Sequence, residues 1–238
     1  MTAPLLIFDL DGTLAETAGD LIAALNHVLD GEGVAPLAVA DARFLLGAGG
    51  RALIERGLAA SGRSVSKERL EILFERFLGY YNENIAEHTH LYDGVAASLD
   101  RFAEAGWHFA VCTNKMEQSA VTLMQALGVA GRFHAICGQD TFAVCKPDPA
   151  ALLSTIERCG ASPATSVMVG DSETDIRTAK AANIPCVAVD FGYTDKHVSH
   201  FGPDRVISHF DELWDAVAGL QRSEAEKRAT ALGRATHP

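Results

Sequence analysis

Pro4-Leu5-Leu6-Ile7-Phe8-Asp9-Leu10-Asp11-Gly12-Thr13 is the stretch on which the reading of the fold turns. Residues 4–9 form a short, continuous apolar run. A strand covered on only one face alternates apolar and polar residues, so an unbroken run suits a strand buried on both faces of a parallel sheet. Similar runs recur at Phe109–Cys112, Ala135–Cys137, Val167–Val169 and Cys186–Val189. Helical patterns separate the later ones. Val121, Met124 and Gln125 precede Gly128, Leu152, Leu153, Ile156 and Cys159 precede Gly160, and a further pattern spans Thr174 to Asn183. Strands alternating with helices predict an α/β fold, a doubly wound, Rossmann-like parallel sheet.

The first connection does not fit a simple crossover. The chain leaves the first strand near Asp9, and the next clear strand begins only near Trp107. A crossover needs about a dozen residues. The intervening stretch instead carries three apolar stripes. These are Leu21, Leu25, Val28 and Leu29, closed by Gly31; then Leu53, Ile54 and Leu58; then Leu70, Leu73, Phe74, Phe77 and Leu78, starting at the N-cap candidate Ser66. Such a stretch predicts an inserted all-α cap domain over residues 15–90, leaving a discontinuous α/β core at 1–14 and 91–222. It departs from the carboxyl end of the first strand, where open α/β sheets bind ligands, so the insert is placed to act as a lid. Residues 223–238 read as a polar C-terminal tail.

The chain has 238 residues and a formal net charge of −11. That charge, with no basic stripe to offset it, argues against nucleic acid and anionic membranes as partners. It also repels an anionic small substrate, so a phosphate site here must carry its own positive charge. No run is apolar and long enough to span a bilayer, and the first residues lack the basic segment of a signal peptide. Cys112, Cys137, Cys145, Cys159 and Cys186 are odd in number and form no C-x-x-C pair. Reduced thiols in a cytoplasmic protein are expected.

Four groups of residues carry chemistry. Asp9 and Asp11 occupy positions i and i+2 at a strand end, so they project to the same side, and Gly12 permits a sharp turn. Asp is also common in strand-end turns without function. Gly170-Asp171-Ser172-Glu173-Thr174-Asp175 follows another apolar strand. Asp171 suits the N-cap of the next helix, and Asp175 lies four residues on. Acids at two strand ends invite a hard divalent cation with oxygen ligands, and Mg²⁺ fits. Thr113-Asn114-Lys115 ends a third strand, where a hydroxyl and free N–H groups suit either an anion or a helix cap. Lys146 precedes Pro147-Asp148-Pro149 and is either a solvated loop residue or the cation that balances the acids.

Taken in order, these motifs resemble those of the haloacid dehalogenase superfamily of phosphohydrolases with an α-helical cap: D-x-D-G-T at Asp9–Thr13, the strand-end Thr113, Lys146, and G-D-x-x-x-D at Gly170–Asp175. The resemblance covers nearly the whole chain. It implies a phosphatase in which Asp9 is the nucleophile and a metal ligand. Asp11 becomes the general acid and then base, ligating metal through its carbonyl. Thr113, with the N–H of Asn114, holds phosphoryl oxygens, and Lys146 neutralises charge. Asp171 is the second side-chain ligand for Mg²⁺, and Asp175 supports the metal shell. Within the superfamily the chain is most similar to the phosphoglycolate-hydrolysing members, through Thr113-Asn114-Lys115, Gly170–Ile176 and Leu46-Gly47-Ala48-Gly49-Gly50-Arg51. Leu14-Ala15-Glu16-Thr17 departs from a Val-Asp-Ser pattern in many relatives. The cap glycines, with Gly49, would offer N–H groups, and Arg51 and Lys115 would receive the substrate's carboxylate; a plain helix–helix turn is the alternative for this segment. The partner is then a small phosphorylated metabolite, and the state a monomer or a homodimer.

Several rivals remain on the same fold. A dehalogenase is disfavoured because Asp11 and the metal-site acids are present. A Schiff-base hydrolase needs a cap lysine, and Lys67 alone lies between residues 15 and 90. Sugar-phosphate mutases and phosphatases and pyrophosphatases stay open, while a non-catalytic binding module, the distant alternative, would require a damaged site, and none of the expected catalytic residues is missing. His88, His90, His197 and His200 read as surface residues, Trp107 and Tyr80-Tyr81 as packing. Phe191-Gly192-Tyr193 reads equally as a plain loop and as a border of the site.

Overall fold

A computed structural model of the chain describes residues 2–47, 49–194 and 196–220; the tail expected at 223–238 lies outside these. Its core is a six-stranded parallel sheet whose strands lie side by side in the order 135–137, 108–112, 5–8, 166–170, 186–189 and 205–207. The strands are β1 (Leu5–Phe8), β4 (His108–Cys112), β5 (Ala135–Cys137), β6 (Ser166–Gly170), β7 (Cys186–Val189) and β8 (Arg205–Ile207). β1 sits in the middle and is buried along its whole length. Leu6 and Phe8 enter the apolar cluster on one face, and Leu5 and Ile7 enter the cluster on the other. Four apolar side chains buried this way contribute about 1.5–3 kcal/mol each. The period-two projection of a strand thus accounts for the unbroken apolar run.

Helices α5 (Val95–Glu104), α6 (Glu117–Ala126), α7 (Pro149–Arg158) and α8 (Glu173–Ala181) link the strands. After β1 the chain enters a two-residue strand, β2 (Ala15–Glu16), and returns through β3 (His90–Leu91), the two pairing antiparallel. Between them lie α1 (Ala18–Gly31), the short α2 (Val39–Ala42), α3 (Gly50–Ala60) and α4 (Lys67–Glu83). These form the all-α cap, in which α1 packs on α3 and α4, and α3 packs on α4. The anticipated stripes are buried at Leu25, Val28 and Leu29, at Leu53, Ile54 and Leu58, and at Leu70, Leu73, Phe74 and Phe77. Ser66 caps α4 through its side chain. Gly31, expected to close the first cap helix, is its last residue, whereas Gly33 takes the left-handed conformation just beyond it. Among the described residues no helix is long and apolar enough to cross a membrane.

Candidate active site

Three adjacent strands bring the chemistry together. Phe8 is in register with Val111 on β4 and with Val169 on β6. Asp9, Thr113 and Asp171, which follow these strands, therefore emerge at one carboxyl edge of the sheet. The N–H of Asp9 donates to the Val169 carbonyl at 2.9 Å, and that of Thr113 donates to the Cys137 carbonyl at 3.0 Å. Thr113 does not cap a helix, since α6 starts only at Glu117.

Carboxylate oxygens of Asp9, Asp171 and Asp175 lie within 4.8 Å of one another. The buried Lys146 ammonium stands 3.1 Å from Asp9 Oδ1 and 2.6 Å from Asp175 Oδ1. The lysine thus bridges two of the three acids. Burial pushes the Asp9 carboxyl up to about 6; Lys146 opposes this, while Asp175 and Asp11 add to it. Burial, then Asp175 and Asp9, raise Asp171 well above the usual carboxylate range. For Lys146 burial works against the charge, but Asp175 and Asp9 outweigh it and the ammonium is held. An all-oxygen donor set with surplus negative charge fits a hard divalent cation.

The remaining contacts of these acids separate their parts. Both oxygens of Asp175 are engaged: Oδ1 accepts from Lys146, and Oδ2 accepts from the N–H and hydroxyl of Ser172. Ser172 and Asp175 form a capping box, so Ser172, not Asp171, caps α8. Asp171 instead turns inward, where it accepts from the Thr13 hydroxyl at 3.0 Å and from the Tyr193 N–H at 2.7 Å. Two loops close on it because they carry glycine. A Cβ at Gly12 would lie 2.5 Å from Asp171 Oδ2, and one at Gly192 would lie 2.2 Å from the Asp171 Cβ. Gly192 and Tyr193 therefore pack directly against the acid cluster at Asp171.

Asp11 meets a different cation. Lys115 Nζ lies 2.8 Å and 3.0 Å from its two carboxylate oxygens, and 4.5 Å from the centre of the Tyr81 ring on α4. Burial disfavours the Lys115 charge, but Asp11 and Tyr81 more than offset it, so its pKa is raised. Asn114 donates from its side chain to the Lys146 carbonyl at 3.0 Å.

Above these groups lies a cavity of about 630 Å³, mouth included. Asp9, Asp11, Thr113, Asn114 and Lys115 line it from the core, and Gly47, Gly49 and Gly50 from the cap. Much of the cap side is apolar, including Leu21, Leu53, Phe74, Phe77 and Tyr81. Arg51 is not part of this lining. It was expected to offer a fork to the substrate, but α3 packs on α4 and brings Glu71 alongside. The guanidinium makes bonds of 2.7–3.1 Å to the Glu71 carboxylate and lies 3.8 Å over the Phe74 ring.

Sequence reasoning also passed over three residues. Tyr81 was read as packing, because the spacing of Phe74, Phe77 and Tyr81 on one helix face is that of a core stripe. Thr13 looked like the end of a motif, although its hydroxyl holds Asp171. Glu16 stood out only as a departure from related sequences. It forms an ion pair with Arg43 at 2.6 Å and accepts hydrogen bonds from the hydroxyls of Tyr92 and Tyr193. The Tyr193 hydroxyl also accepts from the N–H groups of Thr17 and Ala18. No sequence signal links positions 16 and 193, which meet only in the fold.

A parallel α/β core, a helical cap and carboxylates gathered at the strand ends define a cap-bearing hydrolase. The haloacid dehalogenase-like hydrolase family model matches residues 6–189, and the chain belongs to that family. It is 49% identical over 213 residues to a phosphoglycolate phosphatase of Mesorhizobium japonicum, covering 90% of this chain and 94% of that protein. The crystal structure of a predicted phosphoglycolate phosphatase from Haemophilus somnus 129pt superposes with a TM-score of 0.83 at 25% identity, covering 90% of this chain and 98% of that one. A mutant of CbbY from Rhodobacter sphaeroides, in complex with xylulose-(1,5)bisphosphate, superposes with a TM-score of 0.75 at 26% identity, over 90% and 96% of the chains.

Proposed function

We propose that this chain is a Mg²⁺-dependent phosphatase that hydrolyses phosphoglycolate to glycolate and phosphate through a phospho-aspartate on Asp9. The single observation that carries the reading is the seat of Asp9. It lies at a cavity floor, beside Lys146 and against two further buried acids. The Lys146 ammonium and the Leu10 N–H both bond its Oδ1, which leaves Oδ2 to attack phosphorus. Asp11 protonates the departing glycolate oxygen. It then takes the proton of the water that opens the acyl phosphate. Thr113 and the Asn114 N–H hold phosphoryl oxygens, and Lys146 offsets their charge.

Asp9 and Asp171 would hold the cation with side-chain oxygens and Asp11 with its carbonyl, while Asp175 steadies the group from behind. The chemistry a bound Mg²⁺ supplies there is neutralisation of charge on the transferring group. The helices between residues 15 and 90 act as the lid that excludes water from the intermediate. The sugar-bisphosphate reading suggested by the CbbY relative is supported less well, because the apolar cap wall offers few partners for several hydroxyls.

A panel of phosphomonoesters, assayed with Mg²⁺ and with chelator, tests the proposal. Phosphoglycolate should be turned over with the highest kcat/KM and only in the presence of metal. Rapid turnover of sugar phosphates with phosphoglycolate ignored would remove the substrate while leaving the phosphatase.

A further inference from the structure

A two-carbon substrate with a carboxylate at its far end needs a receptor for that carboxylate, and two polar side chains of the cavity face each other from cap and core. Tyr81 is only 1% exposed, yet among the described residues its hydroxyl makes no hydrogen bond of normal geometry, with only the Lys115 ammonium standing near enough to act on it. Leaving a buried hydroxyl unpaired is unfavourable, and such groups are rare enough to require a reason. Burial also pushes this phenol up to about 12, so at neutral pH the oxygen carries a proton it can donate. Lys115 stands against the same ring, fully charged, with two of its contacts falling on Asp11 and an ammonium that has three donors. Tyr81 and Lys115 line one cavity with Asp9, and the nearby wall is largely Leu53, Phe74 and Phe77. Ser119, another polar group there, is already bonded to Asn82.

We propose that the Tyr81 hydroxyl and the Lys115 ammonium together receive the substrate's carboxylate, making Tyr81 the cap residue that selects an anionic tail. The inference rests on the phosphoglycolate reading above and adds to it a residue and a consequence. Because α4 belongs to the cap and Lys115 to the core, the carboxylate itself ties the lid shut. A neutral-tailed ester reaches Asp9 but brings no negative charge for the Tyr81 hydroxyl and the Lys115 ammonium to hold.

The test is a cycle of two proteins and two substrates. Wild type and Tyr81→Phe are each assayed on phosphoglycolate and on hydroxyethyl phosphate, an ester of the same length with an alcohol in place of the carboxylate. The change removes one oxygen that makes no hydrogen bond of normal geometry among the described residues, and Lys115 keeps its two bonds to Asp11, so the fold is retained. The ratio of kcat/KM for phosphoglycolate over hydroxyethyl phosphate should fall about tenfold or more, the scale of a hydrogen bond to a charged group. Most of the loss should sit in KM. The Tm of the ligand-free variant should hold or rise, since an unsatisfied buried group has gone; a structural role would lower it. An unchanged ratio overturns the inference, as does an equal loss on both esters. If wild type itself shows no preference for phosphoglycolate, both readings fall. If the preference is present and Tyr81→Phe keeps it, only this one does.

Discussion

Lys146 and Asp175 meet at 2.6 Å with both side chains essentially out of water. The ammonium lies between Asp175 and Asp9, so one cation serves two acids. Breaking a buried ion pair by removing one partner costs about 3–5 kcal/mol, because the abandoned charge stays buried. Lys146→Met should therefore lower both turnover and stability at pH 7.5, by about that amount in chemical denaturation without metal. A variant that melts like wild type would show that the lysine serves chemistry alone.

Asp9→Asn and Asp11→Asn should fail in different ways. An amide at position 9 cannot attack phosphorus, so turnover should vanish while the near-isosteric change leaves the fold intact; activity above a few percent would falsify the covalent route. Asp11→Asn should keep metal affinity, since its proposed ligand is a backbone carbonyl. It should lose proton transfer, about a 10²–10⁴-fold effect. Esters with acidic leaving groups should suffer least in the first step, which burst kinetics would resolve.

Metal and pH should be coupled through Asp9. Its folded value of about 6 lies above the ordinary 3.8. Between those values the folded chain holds a proton that the unfolded chain has shed. Its contribution to stability in the metal-free protein therefore falls as pH rises from about 4 to 6. A divalent cation favours the ionised carboxylate against its burial and competes with the proton. Thermal melts with Mg²⁺ and with chelator should show a larger gain from metal at pH 7.5 than at pH 5. An equal gain at both would detach the cation from this cluster. Ca²⁺, with its looser and higher coordination, should inhibit turnover by misplacing Asp9.

Arg51→Ala should leave the preference for phosphoglycolate unchanged, because the guanidinium is spent on Glu71 and Phe74. Any effect should appear in cap stability and shrink with added salt. A selective loss on phosphoglycolate would mean that Arg51 leaves Glu71 when substrate binds.

Much of this was legible in the chain. A buried strand and an amphipathic helix are local patterns, so the β1 run and the cap stripes could be read directly. The Asp9, Asp11 and Asp171 motifs were legible because each lies just past such a strand. What escaped was long-range or chemically ambiguous. Tyr81 sits in a helix stripe indistinguishable from core until the cavity beside it is seen. Arg51 carries the right chemistry, but its partner lies 20 residues away on a neighbouring helix. Asp171 looked like a helix cap, and only the geometry shows Ser172 taking that part.

Tyr193 has a consequence for protein engineering. Its N–H holds Asp171 and its hydroxyl holds the Thr17 and Ala18 amides and Glu16. Caps in such enzymes invite transplantation as modules cut at residues 15 and 90. A graft cut there carries Glu16 away and leaves Tyr193 behind, so the new junction would disturb a carboxylate in the distant acid cluster. The unit to exchange is thus the cap together with the loop at 191–193, and chimeras that move both should retain activity where single grafts lose it.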